Sequence, residues 1–153
     1  MKKLLIGFAV IAISLSIFVG SQKSANQLYA EDPYIRAVAP GQDRTAGFVT
    51  LINPTETDCQ LISATADFAN SVEFHNHQHI NNMVMMRPVD SIEVPAGAVV
   101  SLQPGGLHLM LFNVQLTGAE STQISLQTDQ CGTLTFSAPM VHMGAEHKEA
   151  MHH

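Results

Sequence analysis

Residues 72–112 read VEFHNHQHINNMVMMRPVDSIEVPAGAVVSLQPGGLHLMLF, and the fold follows from how this stretch is punctuated. Pro95-Ala96-Gly97 and Pro104-Gly105-Gly106 break it where the chain must turn, because proline pre-sets φ and glycine frees it. The runs between, Val84–Val89, Ser91–Val94, Val99–Leu102 and Leu107–Val114, are short and rich in Val, Ile and Leu, the signature of strands. Leu107-His108-Leu109-Met110-Leu111 alternates with period two, which sends three leucines to a core and His108 with Met110 to the opposite face. Val72 and Phe74 share a face in the same way, with Glu73 and His75 opposite. His77 and His79 follow that second face if the strand continues. Met83-Val84-Met85-Met86 is apolar on both faces, so pattern alone leaves the parity of Met86 open.

The same texture extends outward. Tyr34–Val38, Thr45–Ile52, Cys59–Ala66, Ser71–His75, Gln123–Thr128 and Thr133–Ser137 read as further strands, with loops at Ala39-Pro40-Gly41-Gln42-Asp43 and Asn53-Pro54-Thr55. No 3.6-residue apolar stripe is sustained after the N-terminal region. Short strands at this spacing predict an all-β fold, a single-domain sandwich or barrel. A chain of 153 residues suits one such domain.

Residues 1–30 are expected to be a secretory signal peptide that exports the chain to the periplasm, with an uncleaved N-terminal anchor as the alternative. Lys2 and Lys3 precede an apolar run from Leu4 to Val19, too short at about sixteen residues for a spanning helix, which needs about 20. Cleavage after Ala30 and cleavage near Gly20 or Ser21 both fit. No cysteine directly follows the run, so a lipid anchor is not expected. Removal of this segment takes Lys2, Lys3 and Lys23 with it and leaves four basic against 13 acidic side chains, a balance of −9. Such an acidic domain is a poor ligand for nucleic acid or anionic membrane. The expected plan is signal peptide 1–30, β-domain 31–138 and a flexible His/Met-rich tail 139–153.

The chemistry is concentrated in the opening stretch. His75, His77, His79 and His108 are half of the eight histidines, and Met83, Met85, Met86 and Met110 are half of the eight methionines. Imidazole mixed with thioether at this density suits a soft or borderline metal, copper above all, since zinc prefers imidazole, thiolate and carboxylate. Any one of these residues alone reads more simply as core filler or a surface side chain. No P-loop, Ser-His-Asp arrangement or dinucleotide turn is present, so no enzyme activity is expected. A blue-copper centre is excluded as well, because it needs a Cys with a His and Met close behind, and Cys131 is followed by no His until His142, eleven residues on.

The spacing His75-x10-Met86-x21-His108-x-Met110 resembles the signature of the periplasmic copper chaperones called PCuAC proteins. The words Val72-Glu73-Phe74-His75, Met86-Arg87-Pro88-Val89, Ile92-Glu93-Val94-Pro95-Ala96-Gly97 and Leu102-Gln103-Pro104-Gly105-Gly106-Leu107-His108-Leu109-Met110-Leu111 resemble it too, densely over 72–112 and more loosely over 37–136. The resemblance implies a cupredoxin-like β-sandwich of Greek-key type. It implies Cu(I) held by His75, Met86, His108 and Met110, and delivery to the CuA centre of a cytochrome c oxidase copper subunit or to another copper-assembly factor. A monomer with no substrate beyond the metal ion is expected. Copper sequestration without a transfer partner is the alternative, and an adhesion-like module that binds zinc incidentally is a weaker third.

This chain departs from the family at His77 and His79, where relatives often carry Met. These two, with His142, Met143, His147, Met151, His152 and His153 of the tail, are candidates for a secondary Cu(II) site. A solvated polar loop is the alternative for His77 and His79. Cys59 and Cys131, 72 positions apart in an exported chain, fit either a disulfide or two separate buried thiols.

Overall fold

The computed structural model describes residues 26–81, 83–115 and 120–142. All regular structure among them is β: β1 (Tyr29–Arg36), β2 (Arg44–Ile52), β3 (Cys59–Ala66), β4 (Ser71–Ile80), β5 (Met83–Val89), β6 (Ile92–Val94), β7 (Val99–Leu102), β8 (His108–Phe112), β9 (Ser121–Thr128) and β10 (Thr133–Val141). The order β5-β4-β8-β2-β1-β10-β9-β3-β6 is closed by a further β3–β4 pairing, while β7 pairs with β2. Seven strands thus ring a flattened sandwich. The connections from β2 to β3 and from β8 to β9 cross between its sides, as in Greek-key folds. Strands β1 and β10 are parallel, with Ile35 opposite Met140, and every other pairing is antiparallel.

The interior is built by the alternation that the leucine run announced. Leu109 and Leu111 are fully buried beside Ile35, Leu51, Leu61, Val94, Ile124 and Leu126. Gly47 lies opposite Leu109 across the ladder. A Cβ there would sit 3.3 Å from Leu111 Cδ1 and 3.5 Å from Leu109 Cβ, so glycine is what lets β2 and β8 close. Cys59 and Cys131 form a disulfide, with Cα atoms 5.7 Å apart, which settles the two open readings. It ties the start of β3 to the turn between β9 and β10.

Three expectations need correction. Strand β4 does not end at His75 but runs to Ile80, because Asn76, His77, Gln78, His79 and Ile80 pair with Arg87, Met86, Met85, Val84 and Met83 of β5. An apolar pattern could not reveal this, since the ladder is made by backbone groups. The packed domain begins before residue 31: Leu28 is buried, and Tyr29 and Ala30 pair with Ile52 and Leu51. Cleavage after Ala30 would cut into β1, whereas cleavage near Gly20 or Ser21 leaves it whole. At the other end β10 continues through Pro139 to Val141, whose carbonyl accepts the Ala37 N–H at 2.8 Å, so the tail starts beyond residue 138.

Candidate metal centre

The centre is read from three ladders. His75 lies opposite His108 across β4 and β8, and Met110 lies opposite Glu73. His77 lies opposite Met86 across β4 and β5. Side chains directly opposite in a ladder share a face. His75, His77, His79, Met86, His108 and Met110 therefore all stand on the face away from Phe74, Leu109 and Leu111. The register resolves the parity of Met86 and sends Met83 and Met85, opposite Ile80 and Gln78, to the other face.

His108 stands on the face that alternation assigns to it, yet it is not open to solvent. It is 1% exposed, covered by the His77 ring (centroids 5.0 Å apart, stacked), the His75 ring (5.9 Å) and Phe48 (6.3 Å). His75 is also buried, with Phe112 at 6.0 Å. Arg36 lies over Phe48 and Arg44 over Phe112, at 5.5 and 5.9 Å from the ring centres. Phe48 and Phe112 thus each touch an imidazole and a guanidinium group.

The hydrogen bonds fix the tautomers. His108 Nδ1–H donates to the Gly106 carbonyl at 2.9 Å, so Nε2 carries the lone pair. His75 Nε2–H donates to the Glu73 carboxylate at 2.9 Å, so Nδ1 carries it. Those two lone-pair nitrogens, and Nδ1 of His77, are buried without a hydrogen-bond partner. Buried polar atoms are rarely left so, because each costs about 1–3 kcal/mol. An imidazole oriented by a carbonyl or carboxylate on one nitrogen, with the other bare, is the usual arrangement of a metal ligand. Burial above all, with a smaller push from the Arg36 guanidinium, lowers the His108 imidazole below its ordinary pKa, against the opposing Gly106 hydrogen bond. His108 is thereby kept neutral, the form that binds metal.

The thioethers stand nearer solvent. Met86 is 46% exposed and Met110 half-buried. Both line a cleft with Arg36, Arg44, Ala46 and His142. Among the described residues no three His, Cys, Asp or Glu side chains are arranged to hold a metal. A centre of two imidazoles and two thioethers contains no such trio. His79 is exposed near the end of the β4–β5 hairpin, opposite Val84, and is not gathered in. Ile80, Met83, Val84 and Met86 give that end of the hairpin an exposed apolar surface, so Met83 is rim and not core. His142, by sequence part of the tail, lines the Met86–Met110 cleft because β10 ends beside Arg36 of β1. Met143, His147, Met151, His152 and His153 lie outside the described residues. Sequence reading missed Glu73 and Gly106 as orienting groups, although each precedes its histidine by two positions, Glu73 on the same face of β4 and Gly106 in the turn before β8.

The architecture is that of a cupredoxin-like β-sandwich carrying an imidazole–thioether cluster on one face. The chain belongs to the LpqE-like family (“Putative lipoprotein LpqE-like”), whose profile matches residues 28–140. It is 25% identical over 121 residues to “Putative lipoprotein Lxx21020” of Leifsonia xyli subsp. xyli, covering 77% of this chain and 72% of that one. Its fold is shared with the copper-bound PCuAC domain from PmoF2 at 23% identity, with a TM-score of 0.63 over 76% of this chain and 93% of that domain. The solution structure of CuI-DR1885 from Deinococcus radiodurans is 27% identical, with a TM-score of 0.57 over 74% of this chain and 75% of that one.

Proposed function

We propose that this protein is an exported copper metallochaperone of PCuAC type, which carries Cu(I) as cargo on His75, Met86, His108 and Met110. The observation that carries the reading is the pair of buried, unpartnered lone-pair nitrogens on His75 and His108, each held in place through its other ring nitrogen. Thioether sulfur suits Cu(I) and makes a poor zinc ligand. All four ligands are neutral, which leaves the ion's charge uncompensated and favours release to a recipient. The acceptor is a copper-bearing oxidase subunit or another copper-assembly factor, and the exposed Met86 and apolar hairpin end offer it access. The solved copper-bound relatives and the shared fold support the reading.

The decisive experiment is anaerobic Cu(I) titration with X-ray absorption on the wild type and Met86→Ala/Met110→Ala. One tightly held ion with sulfur and nitrogen neighbours is expected in the wild type, with the sulfur lost in the double variant. Absence of sulfur scattering from the wild type would overturn the assignment. Sequestration without a recipient is the second reading, favoured by the surplus of histidines. Several ions held per chain and no transfer to an oxidase copper domain would support it. The tail is proposed as a capture arm. It is to be tested by removing residues 143–153, which spares β10: equal copper uptake under limiting metal would dismiss it.

A further inference from the structure

The Cu(I) assignment leaves one buried metal-ligating atom without a role. His77 Nδ1 is buried and unpartnered, like the lone-pair nitrogens of His75 and His108. It stands on the same sheet face, with its ring 5.0 Å from that of His108. The backbone fixes it there twice. His77 pairs with Met86 across the hairpin, and its N–H donates to the Gly106 carbonyl at 3.3 Å, the same carbonyl that accepts His108 Nδ1–H. The extension of β4 beyond His75 is thus anchored on the turn that orients His108.

We propose that His75, His77 and His108 form a three-imidazole site for Cu(II), overlapping the Cu(I) site and sharing two of its ligands. The proposal rests on the reading of His75 and His108 as copper ligands. Two imidazoles bound to one ion at about 2 Å have ring centres roughly 4.5–6 Å apart. The His77–His108 and His75–His108 centroids, at 5.0 and 5.9 Å, span that range. The three side chains do not already converge, and side-chain rotation of His77 out of its stack on His108 is the movement required. Cu(II) favours imidazole over thioether, whereas Cu(I) accepts both. One sheet face therefore offers a nitrogen-rich set for the oxidised ion beside a sulfur-containing set for the reduced one, with Met86 opposite His77. His79, exposed and opposite Val84, takes no part.

The test adds one equivalent of Cu(II) to the full chain as wild type, His77→Ala, His77→Gln and His79→Ala. Nitrogen hyperfine structure is counted by electron paramagnetic resonance, and affinity is read by competition with a chelator. Both His77 variants should lose one coordinated nitrogen and bind Cu(II) about tenfold or more weakly, while His79→Ala should match the wild type. Unchanged spectra and affinity in the His77 variants would overturn the site, as would equal losses in the His77 and His79 variants. Anaerobic Cu(I) binding, measured on the same proteins, separates this failure from failure of the parent reading. Sulfur-ligated Cu(I) persisting in His77→Gln leaves that reading intact whatever the Cu(II) result.

Discussion

The sharpest separation of a ligand from a core residue comes from His108→Phe. The wild-type ring is 1% exposed and makes one hydrogen bond, to Gly106, with Nε2 left bare. Phenylalanine gives up that bond, worth about 1 kcal/mol, but removes the buried unsatisfied nitrogen, which costs about 1–3 kcal/mol. Its larger ring adds roughly 1–3 kcal/mol of overpacking against Phe48, His75 and His77. The terms largely offset, so the metal-free unfolding free energy should change by less than about 2 kcal/mol in urea denaturation. His108→Ala, by contrast, leaves a cavity and should cost about 2–4 kcal/mol. Cu(I) affinity should behave differently. Loss of one imidazole from a four-ligand set should weaken it more than about 100-fold, equivalent to about 2.7 kcal/mol, as read by competition with a chromogenic Cu(I) chelator. A His108→Phe protein that loses more than about 3 kcal/mol of stability yet binds Cu(I) normally would show that the residue is structural filler and refute the reasoning.

The remaining expectations are of stability. Reduction of Cys59–Cys131, or its replacement by a pair of serines, frees a 72-residue loop and should lower the unfolding free energy by about 2–4 kcal/mol; a loss under about 1 kcal/mol would mean that the bridge adds little. Gly47→Val should destabilise more than Gly47→Ala, itself about 1 kcal/mol or more, because the added Cβ already meets Leu111 at 3.3 Å. The His108 pKa is depressed in the folded protein, chiefly by burial, so below the ordinary value of 6.5 the unfolded chain binds more protons. Metal-free stability should therefore hold above pH of about 6.5 and fall as pH drops from there toward the folded pKa. An NMR titration that places the His108 ring at or above 6.5 would contradict this.

The amino-acid sequence alone marks the strands whose apolar residues alternate. β3 and β7 appear with the limits that pattern reading assigned, and β2 differs by one residue. It also determined which residue types could hold copper, because thioether and imidazole chemistry belongs to the side chains and not to their arrangement. Strand ends were legible only where apolar residues marked them. β4 beyond His75, and the outer ends of β1 and β10, are held by backbone pairing that no hydropathy pattern records. The site divides in the same way. The family resemblance named His75, Met86, His108 and Met110, but only the β4–β5 register put Met86 on their face, and it placed His77, not His75, opposite Met86. Burial of His108, the bare nitrogens and the approach of His142 to the methionine cleft arise from contacts between strands distant in the chain. Local sequence sets which way a side chain points from its strand; closure of the sandwich decides what it meets there.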